Sequence, residues 1–137
     1  MRPPDILRFF LRVNAIVCGL AIIPAIMPLH WMDITHRWLG LGPLPDGPVF
    51  EYLARSISLL YVGMGAFAYL LSRDVARYAV LIRWYGAGHI FFGAMLFWID
   101  KRSKLPDWWA RGEGPFVMLV GLLVLLIALR CGQDNRT

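Results

Sequence analysis

The sequence predicts an all-α fold: a four-transmembrane-helix bundle with a short interfacial helix in the first outer loop. Three observations carry that expectation. Four apolar stretches, Phe9–Leu29, Phe50–Leu71, Val75–Ile99 and Pro115–Leu129, take up most of the chain. The first three have the length a helix needs to cross a bilayer core, roughly 17–25 residues. The fourth runs from Phe116 to Leu129 without a charge, in a chain that is 58% hydrophobic with mean hydropathy +0.57. Lipid offers the backbone no hydrogen-bond partner, so such runs form helices rather than open strands. One domain, residues 1–137, is expected, with helices at about 6–29, 50–72, 75–99 and 115–130.

The first helix starts after Pro3–Pro4–Asp5, a plausible cap and first turn. Its apolar run is an uncleaved span, since it ends in Pro24, Pro28 and Trp31 rather than in a small-residue cleavage site. Ala15 and Gly19 form a small pair one turn apart, which lets a neighbouring helix approach closely. Pro24 and Pro28 bend or end the helix. In the loop that follows, Asp33 is placed to cap a short helix Ile34–Leu39 that stops at Gly40. Trp31, Ile34, Trp38 and Leu41 would then lie in the membrane interface.

The second helix has the most polar stripe. Glu51, Arg55, Ser58, Val62, Gly65 with Ala66, Tyr69 and Arg73 share one face at helical spacing. Lipid would not tolerate that face, so it is expected to point inward. A tight turn at 72–74 leads to the third helix, whose stripe Gly86, His89, Gly93 and Asp100 predicts close packing with His89 buried. Pro115 suits the first turn of the fourth helix and Gly114 its cap. Sixteen residues from Gly114 to Leu129 give only about 24 Å. Glu113 would then be drawn inward at the helix N-terminus, where the dipole favours a carboxylate.

Charge sets the expected topology. The face with both termini holds Arg2, Arg8, Arg12, Arg73, Arg77, Arg83, Arg130 and Arg136 against Asp5, Asp74 and Asp134, a net +5. The opposite face balances six basic residues, Lys104 among them, against six acidic ones. The positive-inside rule makes the first face cytoplasmic. The pI of 9.7 follows from this asymmetry and from anionic lipid headgroups, with no nucleic acid implied. Five of the six tryptophans, Trp31, Trp38, Trp98, Trp108 and Trp109, fall on the outer face, as an interfacial belt would.

Candidate ligand-binding residues are Arg55, Glu51, Asp100, Glu113, His89, Trp108 and Trp109. Ionisable residues in membrane spans are functional candidates by default. The carboxylates with Asp107, and Arg55, are expected at one level at the outer mouth, as a polar-headed pocket for a lipid, quinone or small organic ligand. A structural ion pair of Glu51 with Arg55, one turn apart, is the competing account. His89 fits a neutral imidazole bonded to a neighbouring hydroxyl or carbonyl, because His30 and His36 lie too far away in depth to share a haem. His30, Asp33 and His36 do not converge on one helix face, so no metal site is expected. Cys18 and Cys131 sit at different depths and form no disulfide framework. No catalytic constellation is present and no cofactor is implied.

The stretch Glu51-Tyr52-Leu53-Ala54-Arg55-Ser56-Ile57-Ser58-Leu59-Leu60-Tyr61, then Asp74-x-x-Arg77-Tyr78, Pro106-Asp107-Trp108-Trp109 and Gly112-Glu113-Gly114-Pro115, resembles an uncharacterised family of small bacterial membrane proteins that is broadly DoxX-like. The resemblance covers most of residues 31–129. It implies a bacterial inner-membrane setting and a four-helix bundle, and it carries over no functional residue. Two functions are expected from these readings. One is a non-catalytic accessory subunit of a larger membrane complex, with lipids and other subunits or further copies as partners. The other is a lipid-, quinone- or small-molecule-binding bundle with a polar site at the outer mouth, and a transporter or enzyme using the same residues is a third reading.

Overall fold

The structure, a computed structural model, describes residues 2–103 and 105–134; Lys104 and Arg136 of the charge balance lie outside them. Among the described residues every regular element is helical. The order is α1 (Pro3–Gly19), α2 (Ile22–Ile26), α3 (Leu29–Trp38), α4 (Pro48–Arg73), α5 (Ala79–Arg102) and α6 (Asp107–Asp134). Four segments, Pro3–Ile26, Pro48–Arg73, Ala79–Arg102 and Asp107–Gly132, are long and apolar enough to cross a membrane. The chain is therefore a multi-pass membrane protein. It divides into two compact units, Val13–Tyr69 and residues 1–12 with 70–137.

In the Val13–Tyr69 unit, proline decides where helices stop. The expected helix 6–29 is broken at residues 20–21 and ends at Ile26. Pro24 has no N–H for the Leu20 carbonyl, and its ring crowds that turn. The chain tightens there: Ala21 donates to Cys18 and Ile23 to Leu20, three residues back rather than four. Met27 is extended with ψ 149°, the conformation favoured before Pro28. Helix α3 then starts at Leu29, five residues ahead of the expected Ile34, so Asp33 lies inside the helix and does not cap it. Its exit is as expected. Gly40, at φ 74°, takes the left-handed position. Leu41 N–H donates to His36 and Gly40 N–H to Arg37, the paired bonds of a glycine C-cap.

Helix α4 begins at Pro48, a residue whose fixed φ suits a first turn. Where Gly65 lies, a Cβ would meet the Ala15 carbonyl at 2.8 Å and the Gly19 nitrogen at 3.0 Å. The Ala15/Gly19 face is thus a close helix contact. The inward stripe of α4 holds from Glu51 to Gly65 and then drifts. Ala68 and Ser72 are buried, while Ala66, Tyr69 and Arg73 are exposed. A repeat of 3.6 residues carries a strict four-residue stripe off the covered face over several turns.

In the other unit, the tight turn expected at 72–74 is a five-residue link, 74–78, and α5 starts at Ala79 rather than Val75. Asp74 builds the link: its side chain accepts from Arg77 N–H at 3.0 Å and its carbonyl from Tyr78 N–H at 3.0 Å. The larger correction is α6. It begins at Asp107, eight residues before the expected start, so Pro115 is inside the helix and Gly114 caps nothing. Pro106 opens it by accepting from Trp109 and Ala110 N–H. At 28 residues the helix is about 42 Å long, ample for a bilayer.

Helices α5 and α6 pack backbone to backbone. A Cβ on Gly93 would meet the Gly114 carbonyl at 2.6 Å, and one on Gly121 would meet the Gly86 carbonyl at 2.6 Å. In lipid this van der Waals contact substitutes for a hydrophobic driving force.

Candidate functional site

The residues expected at one outer mouth fall into the two units: Glu51 and Arg55 in Val13–Tyr69, Asp100, Asp107 and Glu113 in the other.

Arg55 has a structural task. Its Nε donates to Glu51 Oε1 at 2.9 Å and its Nη1 to the Ala25 carbonyl at 2.7 Å. In a continuous helix the Ala25 carbonyl would receive the N–H of residue 29, but Met27 and Pro28 have already left the helix. Arg55 fills that vacancy, and Glu51 orients it. An acceptor orphaned by proline is thereby satisfied.

Asp33 works in the same way. Its carboxylate accepts from Leu44 N–H at 2.8 Å and from Arg37 Nε at 2.9 Å, tying the Pro-rich loop back to α3. The Leu44 N–H and then the Arg37 guanidinium hold its carboxyl below the usual carboxylate range. His36 lies against the Gly42 carbonyl at 2.9 Å. Together with His30, Arg37, Pro43 and Glu51, Asp33 borders a groove of about 610 Å³.

His89 is half-buried. Its Nδ1 lies 3.0 Å from the Tyr85 carbonyl and its ring 4.2 Å from the Tyr85 ring. The expected carbonyl partner is present, one turn back on the same helix. The imidazole Cβ lies 2.7 Å from where a Cβ of Gly121 would be, so α6 leaves room for the histidine only because residue 121 is glycine.

Asp100 and Glu113 lie at the far end of the same helix pair. Phe97 of α5 contacts Gly114 closely, and one turn on, Asp100 is close enough to Glu113 for their charges to interact. Asp100 is 4% exposed, and its Oδ2 has no hydrogen-bond partner. Most buried polar atoms are paired, so a lone carboxylate oxygen at this depth requires an explanation. Glu113 accepts from Trp109 Nε1 at 2.5 Å. Trp108 lies edge-on to Trp109, with ring centroids 5.4 Å apart. These three side chains line an open recess of about 250 Å³.

The nearby cations are engaged elsewhere. Lys101 and Arg111 pair with Asp107 at 3.7 and 3.6 Å, and Arg102 stacks over Trp98 at 4.7 Å. Among the described residues, none pairs with Asp100.

The early start of α6 makes this site, by setting Trp109 and Glu113 one helical turn apart. The sequence contained a signal for the register. Gly86 and Gly93 are seven residues apart, as are Gly114 and Gly121, and the antiparallel pairing matches Gly86 with Gly121 and Gly93 with Gly114. No family model, curated protein or solved structure matches this chain.

Proposed function

We propose that this chain is a non-catalytic membrane protein that holds a small ligand at the open recess that Trp108, Trp109 and Glu113 of α6 line. The supporting observation is the buried, unpartnered Oδ2 of Asp100 beside Glu113. Asp33 and Arg55 have backbone tasks and Asp5 and Asp107 pair with cations, whereas Asp100 pairs with no cation among the described residues. Its burial favours a small occupant over the side chain of a partner protein. The setting we propose is a bacterial inner membrane with both termini cytoplasmic, supported by the basic bias of the terminal face.

An accessory subunit in a larger assembly is the other reading, and one measurement separates the two. In native mass spectrometry of untagged protein drawn gently from its own membrane, we expect a single chain or small homo-oligomer carrying a defined extra mass, and loss of that mass in Asp100→Asn. A stoichiometric complex with other subunits and no small bound mass would overturn the binding reading and establish the accessory one.

A further inference from the structure

Independently of the recess, we infer that the end of the chain where α1 and α5 start and α6 finishes is a docking surface for anionic phospholipid, with Arg12 and Arg83 as its phosphate-binding side chains. Four spans crossing in alternate directions bring those helix ends to one face, and the arginines concerned all fall in the compact unit of residues 1–12 with 70–137. The described basic residues of the opposite face all have partners: Arg37 has Asp33, Arg55 has Glu51, Lys101 and Arg111 have Asp107, and Arg102 has the Trp98 ring. At the terminal end Arg2 and Arg8 share Asp5, Arg77 lies by the Tyr78 ring and the Asp74 carboxylate accepts the Arg77 backbone N–H, whereas Arg12 and Arg83 form no ion pair among the described residues.

Both arginines stand on apolar faces of spans. Arg12 is exposed on α1 between exposed Phe9 and Ile16, and Arg83 is exposed on α5 between exposed Val80 and Trp84. Arg83 is four residues into its helix, about 6 Å, and Arg12 nine residues into α1, about 14 Å. From such depths an arginine lays its stem on apolar surface and carries its guanidinium to the headgroups. The Arg83 side chain takes that direction, since its Nε donates to the Ala79 carbonyl at 3.3 Å, one turn nearer the helix start. Its Nη groups remain for an acceptor outside the chain. The register that pairs Gly86 with Gly121 and Gly93 with Gly114 brings Arg130 level with Arg77, so further arginine surrounds the same end. Every basic residue assigned to this end is arginine, and the two lysines, Lys101 and Lys104, belong to the other. The planar guanidinium fork matches a pair of phosphate oxygens, which an ammonium does not. A charge beside apolar side chains needs a counter-charge, and the phosphodiester of an adjacent lipid is the anion within reach. A headgroup with net negative charge supplies it, whereas a zwitterionic one brings an ammonium that the arginines repel.

The test is native mass spectrometry of the delipidated full chain in detergent, titrated with phosphatidylglycerol or with phosphatidylcholine of the same acyl chains. The expected result is that wild type binds phosphatidylglycerol about tenfold or more tighter. The double variant Arg12→Gln, Arg83→Gln should lose that preference, and Arg111→Gln, whose arginine pairs with Asp107, should keep it. Circular dichroism checks that the variants hold the wild-type helix content, and the wild-type comparison of the two lipids decides the matter even if the double variant does not fold. Equal affinity for the two lipids, a preference that survives in the folded double variant, or displacement of phosphatidylglycerol by an equal concentration of soluble glycerol phosphate would overturn the proposal. None of these variants alters a residue that lines the recess, so the outcome is separate from the fate of that site.

Discussion

Compare the Val13–Tyr69 unit with the α5–α6 hairpin: each carries charged residues near an end of membrane-length helices, but the charges do different work. In the first, prolines break the backbone, and Arg55, Glu51 and Asp33 repair it. Each charge there bonds to a carbonyl or an N–H that a proline or loop has orphaned, or orients a group that does. In the second, the two helices are held by glycine contacts, and Asp100 is buried with an oxygen unsatisfied. A polar residue in a membrane span is therefore best judged by whether it completes the backbone. Where it does, its presence is explained; where it does not, as at Asp100, we propose an occupant from outside the chain.

The largest effect that would sharpen this comparison lies in the glycines. Gly121→Leu must force apart backbones that already meet at 2.6 Å from a Cβ position, at a cost of about 3 kcal/mol or more. In denaturant titrations of the protein in detergent micelles, Gly121→Leu and Gly114→Leu should lose most of their stability. Gly88→Ala, with nothing within 4 Å, should match or slightly exceed wild type. Equal losses at Gly88 and Gly121 would mean that the hairpin is not held by these contacts.

Next in size is Arg55→Ala, which strands the Ala25 carbonyl and costs about 1–3 kcal/mol. The same unfolding measurement should show that loss while ligand retention stays intact. Asp100→Asn should do the reverse: no more than about 1 kcal/mol of stability change, because no hydrogen bond of Oδ2 is lost, but loss of the bound mass. A large destabilisation by Asp100→Asn would contradict the contrast between the two regions.

The smallest effect is at Asp33. Its carboxyl is held below the usual range by Leu44 N–H and Arg37. A depressed folded value means that the carboxylate's contribution is fully present above the ordinary value of about 3.9 and fades only as pH falls through the folded one. A carboxyl-carbon NMR titration should place Asp33 below the ordinary carboxylate range, with the Leu44 amide shift moving in step with it. Titration of Asp33 at the ordinary value would remove its bond to the loop from the account.

The membrane spans were legible because apolar runs report burial in lipid whatever the tertiary arrangement. Helix ends were less so. Gly112-Glu113-Gly114-Pro115 suggests a helix start, yet α6 passes through it, since the helix already begins at Pro106–Asp107 and a backbone-packed partner favours glycine in its interior. The position of Pro24 implied a bend, but the break falls four residues earlier, at the carbonyl the proline cannot serve. The site was half legible. Asp100, Glu113, Trp108 and Trp109 stood out by type and depth, but their meeting depends on the α5–α6 register, which two seven-residue glycine spacings set. Arg55 stood out for the same reasons, and only the orphaned Ala25 carbonyl shows what it does.

The central claim, that the ligand belongs to the α5–α6 hairpin and not to Arg55, is tested most directly by native mass spectrometry of Arg55→Ala and Glu113→Gln extracted side by side from their own membranes. The account predicts that Arg55→Ala keeps the bound mass on a less stable chain, while Glu113→Gln loses it and stays folded. Retention by Glu113→Gln together with loss from a folded Arg55→Ala would contradict it.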